Sequence, residues 1–174
     1  MLFRSLYIFI IMTKCLKNKL LIILLGLASL SAIIMAYISQ YIFLYQPCQL
    51  CLYQRVPFFI VIGLSILSLF LQKNNFLQII LYFCIAILLI NFAIAFYHVG
   101  VEYKIFSGFS SCSGNSNLNK IDNLYDLQQA LTKQPMVKCD EPQFYFLGLT
   151  MAFWNMIYCL ILASCAITIR LKKS

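Results

Sequence analysis

Cys48 and Cys51 lie three positions apart in the stretch Gln46-Pro-Cys-Gln-Leu-Cys-Leu-Tyr-Gln-Arg55, and Arg55 follows four residues after the second thiol. Two cysteines at this spacing suit a redox-active dithiol, or part of a metal site. A disulfide across two intervening residues closes too small a loop to constrain the chain much, because cross-linking stabilisation grows with loop length. Redox chemistry is therefore the sharper reading of the pair, and a passive staple the plainer one. If a helix begins near Cys51, the i,i+4 spacing puts the Arg55 guanidinium on the face of that thiol. A fixed cation there favours the thiolate. The plainer reading of Arg55 is a snorkelling side chain at the end of a membrane span.

Four further residues can join this chemistry. Cys112 lies in a Ser-Ser-Cys-Ser-Gly segment, and Cys139 follows Pro135. His98, the single histidine of the chain, can hydrogen-bond a bound carbonyl, or can be an interfacial histidine without a role. Met151, like Trp154, reads by default as a packing or interfacial belt residue.

The elements that must hold these residues are membrane spans. Of the 174 residues, 63% are hydrophobic and 10% charged, and a soluble domain of this length would hold roughly 45–50% and about 25%. Residues 20–44 carry no charge over 25 positions, and about 20 suffice to cross a bilayer. Further spans are expected at 56–71, 76–97 and 144–169, joined by a polar turn at 72–75. Outer loops are expected at about 45–55 and 98–143. In the second, residues 117–131 place Leu118, Ile121, Leu124, Leu127 and Leu131 at helical spacing, an amphipathic helix suited to the membrane surface. The fold expected is an all-α four-transmembrane-helix bundle in a single integral membrane domain, 1–174. Either Met1 or Met12 serves as the start, and the basic cluster before the first long span argues against a cleaved signal peptide.

Charge sets the orientation. The termini and the 72–75 turn carry eight Lys or Arg and no acid, whereas the other side carries Arg55 and four lysines against all five acids. The positive-inside rule puts both termini in the cytoplasm. The net charge of +8 is thus an orientation signal rather than a nucleic-acid footprint. Cys48, Cys51, Cys112 and Cys139 then face the oxidising side, where thiols tend to pair. The natural pairing is Cys48–Cys51 and Cys112–Cys139, either of which can also be a structural staple. A disulfide that oxidises other proteins must hand on two electrons. There is neither a GxGxxG dinucleotide signature nor a haem CxxCH, and a bilayer quinone fits a thiol pair at the membrane edge.

The pattern Gln-Pro-Cys48-x-Leu-Cys51-x-Tyr-x-Arg55, the Cys112…Cys139 pair, and Phe146-Leu-Gly-Leu-x-Met151…Trp154 on four spans resemble the bacterial DsbB family of disulfide bond formation proteins, over roughly residues 20–170. His98-Val-Gly-Val-Glu…Ser-Cys112-Ser-Gly is similar to a DsbB-like branch of it. The resemblance implies a quinone-dependent protein-disulfide oxidoreductase of the bacterial inner membrane. It would take electrons from a periplasmic thioredoxin-like DsbA-type protein and pass them to ubiquinone or menaquinone, the established relay of that compartment. By the same resemblance Cys112–Cys139 takes electrons from the partner, with Cys112 attacked; Cys48 exchanges with that pair; Cys51 beside Arg55 faces the quinone; and His98 and Met151 match quinone-pocket positions. Gln54 stands where the family commonly has an acid. The alternatives are a vitamin K epoxide reductase-like four-span protein, whose CxxC is expected late in the chain, and a metal-binding or structural four-span protein with two outer disulfides.

Overall fold

The computed structural model describes residues 2–107, 139 and 145–171, the side chains of residues 2–15 and Phe146 excepted. Four long helices make up most of it: α1 (Leu2–Tyr41), α2 (Gln49–Phe70), α3 (Asn74–Glu102) and α4 (Met151–Leu171). Each is long and apolar enough to span a membrane, α1 through its part Leu16–Tyr41. The chain is a four-helix membrane bundle. Leu20, Leu24, Ile60, Leu67, Ile79, Phe83 and Leu160 are exposed on its outside, a surface that suits lipid and not water.

The core forms because small residues let helices approach and a heptad stripe fills the gap. Gly26 of α1 lies so close to α2 that a Cβ there would run into the Ser65 side chain. On α3, Leu77, Leu81, Cys84, Leu88, Asn91, Ala95 and His98 are all buried. Their alternating steps of four and three mark the seam of near-parallel helix packing. Ile22, Leu25, Val61, Cys159 and Ala163 of the other helices complete this core.

The short connections define two ends of the bundle. At one end Lys73 caps α3, and Lys19 Nζ donates to the Leu69 carbonyl (2.8 Å) in the last turn of α2, where a cation meets the negative end of the helix. Asn18 Nδ2 donates to Asn74 Oδ1 (3.0 Å) beside it. At the other end α1 stops at Tyr41, and the chain turns through Leu44, at φ 58°, into Pro47 and Cys48.

All four helices differ in extent from the expected spans: α1 ends at Tyr41 rather than 44, and α3 runs on to Glu102, so His98 lies in the helix and not at the start of a loop. α2 begins at Gln49, so the CxxC pair is its first turn rather than a loop before it. Helix α4 begins at Met151, not near 144, because a hairpin precedes it: β1 (Tyr145–Phe146) pairs antiparallel with β2 (Leu149–Thr150). Leu147 and Gly148 turn it with φ of 53° and 78°, the left-handed pair a two-residue hairpin needs. The amphipathic helix expected at 117–131 lies outside the described residues.

Candidate functional site

Cys48 is the N-cap of α2: its backbone is extended, and its Sγ accepts the Cys51 N–H (3.2 Å). One helical turn therefore brings the two sulfurs together, and Cys48 Sγ donates to Cys51 Sγ at 2.8 Å. Cys48 is 6% exposed and Cys51 partly so. The hydrogen bond to Cys51, and then burial, push the Cys48 thiol above the ordinary thiol range, with His98 opposing.

The last turn of α3 supplies the next layer. His98 is buried, with Nε2 3.5 Å from Cys48 Sγ and 3.7 Å from Glu102 Oε1. Its Nδ1 lies 2.9 Å from Gln54 Nε2. Asn155 Nδ2 of α4 donates to Gln54 Oε1 (2.8 Å). Thr150, just ahead of α4, accepts the Phe153 N–H (3.2 Å) and donates its hydroxyl to Glu102 Oε2 (2.6 Å). These groups come from α2, α3 and α4 and the residue just ahead of α4.

Cys139 is buried in the same place: it packs with Cys48, Leu50 and Val101, and Cys51 and Tyr97 border the cluster. Arg55 reaches across to α1, where Nη1 donates to Gln40 Oε1 (2.8 Å) and the guanidinium sits 5.1 Å from the Tyr37 ring centre. These contacts hold it by α1, while the Cys51 sulfur has Cys48 as its hydrogen-bond partner.

A cavity of about 490 Å³ lies among these residues. Cys48, Cys51, Cys139, Arg55, His98 and Met151 all border it. Its long walls are the apolar faces of α1 and α4, and at depth Tyr158 ties the two, donating to the Ala28 carbonyl (2.9 Å) beside Ser31 Oγ (3.2 Å). Of the residues expected at the site, Cys112 lies outside the described residues.

The family model for disulfide bond formation protein DsbB matches residues 18–169. This chain belongs to the DsbB family. It is also 30% identical over 141 residues to the uncharacterized protein RP370 of Rickettsia prowazekii (strain Madrid E), with 81% of each chain covered. Membership makes it a membrane protein of disulfide bond formation, an oxidoreductase acting on thiols and disulfides.

Within this DsbB-family site the sequence reading gave no role to Gln54, Glu102, Thr150, Asn155 or Gln40. Two of them carried a signal. Gln54 lies one turn after Cys51, and Glu102 one turn after His98, so each shares a helix face with a residue already singled out. A polar side chain on the buried face of a membrane helix is costly unless it has partners, which makes such positions informative.

Proposed function

We propose that this chain is a quinone-dependent thiol oxidase that reoxidises a DsbA-type dithiol protein on the outer side of the bacterial cytoplasmic membrane. One observation carries the reading: the Cys48–Cys51 pair, Cys139 and a membrane-embedded, mostly apolar cavity meet at one point. The cavity is of ligand size, within the roughly 300–1,000 Å³ common for small-molecule sites. Its polar end, with Cys51, Arg55 and His98, suits the oxygens of a quinone ring, and its walls from α1 and α4 suit an isoprenoid tail. A bound quinone, ubiquinone or menaquinone, supplies a two-electron, two-proton acceptor.

The chain's own residues move the electrons by thiol–disulfide exchange. The partner's thiolate attacks Cys112 of a Cys112–Cys139 disulfide, and Cys139 leaves as a thiolate. Cys139 packs against Cys48, and its attack on Cys48 Sγ opens the Cys48–Cys51 bond and releases Cys51 as the thiolate. The electron pair then sits on the sulfur that borders the cavity beside Arg55. Arg55 and His98 are the groups that would orient a ring carbonyl there, and Met151 lines the same cavity. The grouping of Lys19, Lys73 and Arg170 near the α2–α3 turn supports cytoplasmic termini, since the positive-inside rule applies to that end.

The test is turnover of a short-chain quinone with a reduced DsbA-type protein, followed by quinone absorbance and by loss of partner thiols. Cys51→Ala should abolish turnover, and Arg55→Ala should raise the apparent KM for quinone with loop exchange intact. Normal turnover by Cys51→Ala contradicts the assignment.

A second reading has its own observation: the ligand atoms of Cys48, Cys51 and His98 all lie within 4.8 Å of one another, close enough for one soft divalent cation. Zinc bound at one per chain, without quinone turnover, would favour that reading.

A further inference from the structure

The polar groups behind His98 form one directed chain. Asn91 Nδ2 donates to Cys159 Sγ (3.4 Å), and Cys159 Sγ donates to Asn155 Oδ1 (3.7 Å). Asn155 Nδ2 donates to Gln54 Oε1 (2.8 Å). With its oxygen committed to Asn155, the Gln54 amide turns its NH2 toward His98 Nδ1, 2.9 Å away. A primary amide has one oxygen and one NH2, so turning Asn155 alone would set oxygen against oxygen at Gln54. Each amide orientation is coupled to the next.

The other side of the imidazole agrees. Thr150 Oγ1 accepts the Phe153 N–H and spends its proton on Glu102 Oε2, so the carboxyl acts as the acceptor. Glu102 Oε1 lies 3.7 Å from His98 Nε2, and with the carboxyl ionised an N–H is favoured there and a lone pair is not. Cys48 Sγ, at 3.5 Å, is the other neighbour of Nε2. Among the described residues, the titratable groups around the ring are Cys48, Cys51 and Glu102, with Cys139 packed on Cys48, while Gln54 and Asn155 are neutral.

We propose that Gln54, oriented by Asn155, is a positioning residue that fixes His98 as its Nε2–H tautomer and aims that donor at the Cys48 sulfur and the Glu102 carboxylate. An acid at position 54 would do the opposite: it would accept from Nδ1–H and leave a lone pair facing Cys48. The difference matters for the redox step. Closing the Cys48–Cys51 disulfide from the dithiol removes two protons and two electrons, which pass to the acceptor of the quinone class. Once Cys48 has lost its proton, the Nε2–H is a charge-assisted donor to that thiolate. This consequence rests on the oxidase reading; the tautomer does not.

His98 is the only histidine, so histidine-selective 15N labelling gives one pair of ring signals. Spectra of the reduced chain in detergent, without quinone or partner, test the tautomer directly. The expected result is a pyridine-type nitrogen at Nδ1 and a pyrrole-type nitrogen at Nε2. Asn155→Asp, an isosteric change remote from the imidazole, presents only acceptors to Gln54, turns its amide over and moves the proton to Nδ1. Gln54→Glu should do the same from the next position. Cys48 alkylation, mapped by peptide mass, should slow about tenfold at fixed pH in Gln54→Leu, one unit of thiol acidity. A pyrrole-type Nδ1 in the unaltered chain overturns the proposal, as do unchanged ring signals in both Asn155→Asp and Gln54→Glu. Failure of quinone turnover with the expected spectra would instead count against the oxidase reading alone.

Discussion

Cys48 and Cys51 differ because of where the helix starts. Cys48, as the N-cap, is buried against His98 and Cys139, and gives its proton to the hydrogen bond with Cys51. Its thiol is pushed above the ordinary range, so at any pH below that raised value it holds less thiolate than a free cysteine. In the reduced chain, alkylation of Cys48 should stay slow through the usual thiol midpoint near pH 8.5 and climb only above it. A midpoint at or below that of a model thiol would contradict this account. Arg55 shows where sequence reasoning stops at this scale. Its spacing from Cys51 fixes its helix face, but not that Gln40 and Tyr37 of a helix distant in sequence would hold the guanidinium.

At the scale of elements, hydropathy found four helices because lipid leaves little choice: a spanning segment must satisfy its own backbone. Hydropathy ended the third span at 97 and left His98 at the start of a loop, but its buried place in α3 shows in the spacing. It continues the stripe of Leu77, Leu81, Cys84, Leu88, Asn91 and Ala95 at heptad steps, so it must face the bundle. The start of α4 was not legible from hydropathy, since Tyr145, Phe146, Leu147 and Leu149 are apolar whether they form helix or strand. Only Gly148 marked the turn, and a lone glycine in an apolar run is a weak signal. The amide chain from Asn91 to His98 crosses three helices, and no spacing within one helix predicts it. The hairpin has work to do: it delivers Thr150 to Glu102 and sets the first turn of α4 against the cavity. Gly148→Ala forces a side chain into a left-handed backbone and should cost roughly 1 kcal/mol. Chemical unfolding in detergent measures that loss, and an unchanged midpoint would mean that the turn tolerates a Cβ.

The whole molecule is a bundle whose outside is apolar and whose interior carries its longest polar network at the end that holds the thiols. Buried Asn91, His98 and Gln54, together with Glu102, lie on a path that leads to Cys48. Polar groups cost free energy inside a membrane; Gln54, Asn91, His98 and Thr150 link toward the thiol pair, while Asn18, Ser29, Ser65 and Ser68 are buried elsewhere in the bundle. Cys139 enters that cluster from a part of the chain distant in sequence from Cys48, joining loop chemistry to span chemistry. The cavity at the same end is bordered by the thiols and has mostly apolar walls from α1 and α4. That shape is why the account couples protein thiols to a membrane acceptor. The most direct test is anaerobic stoichiometry with catalytic amounts of the chain, a short-chain quinone and a reduced DsbA-type protein. The account predicts one quinone reduced for each disulfide formed in the partner. Partner oxidation without matching loss of quinone, or none at all in the absence of oxygen, would contradict it.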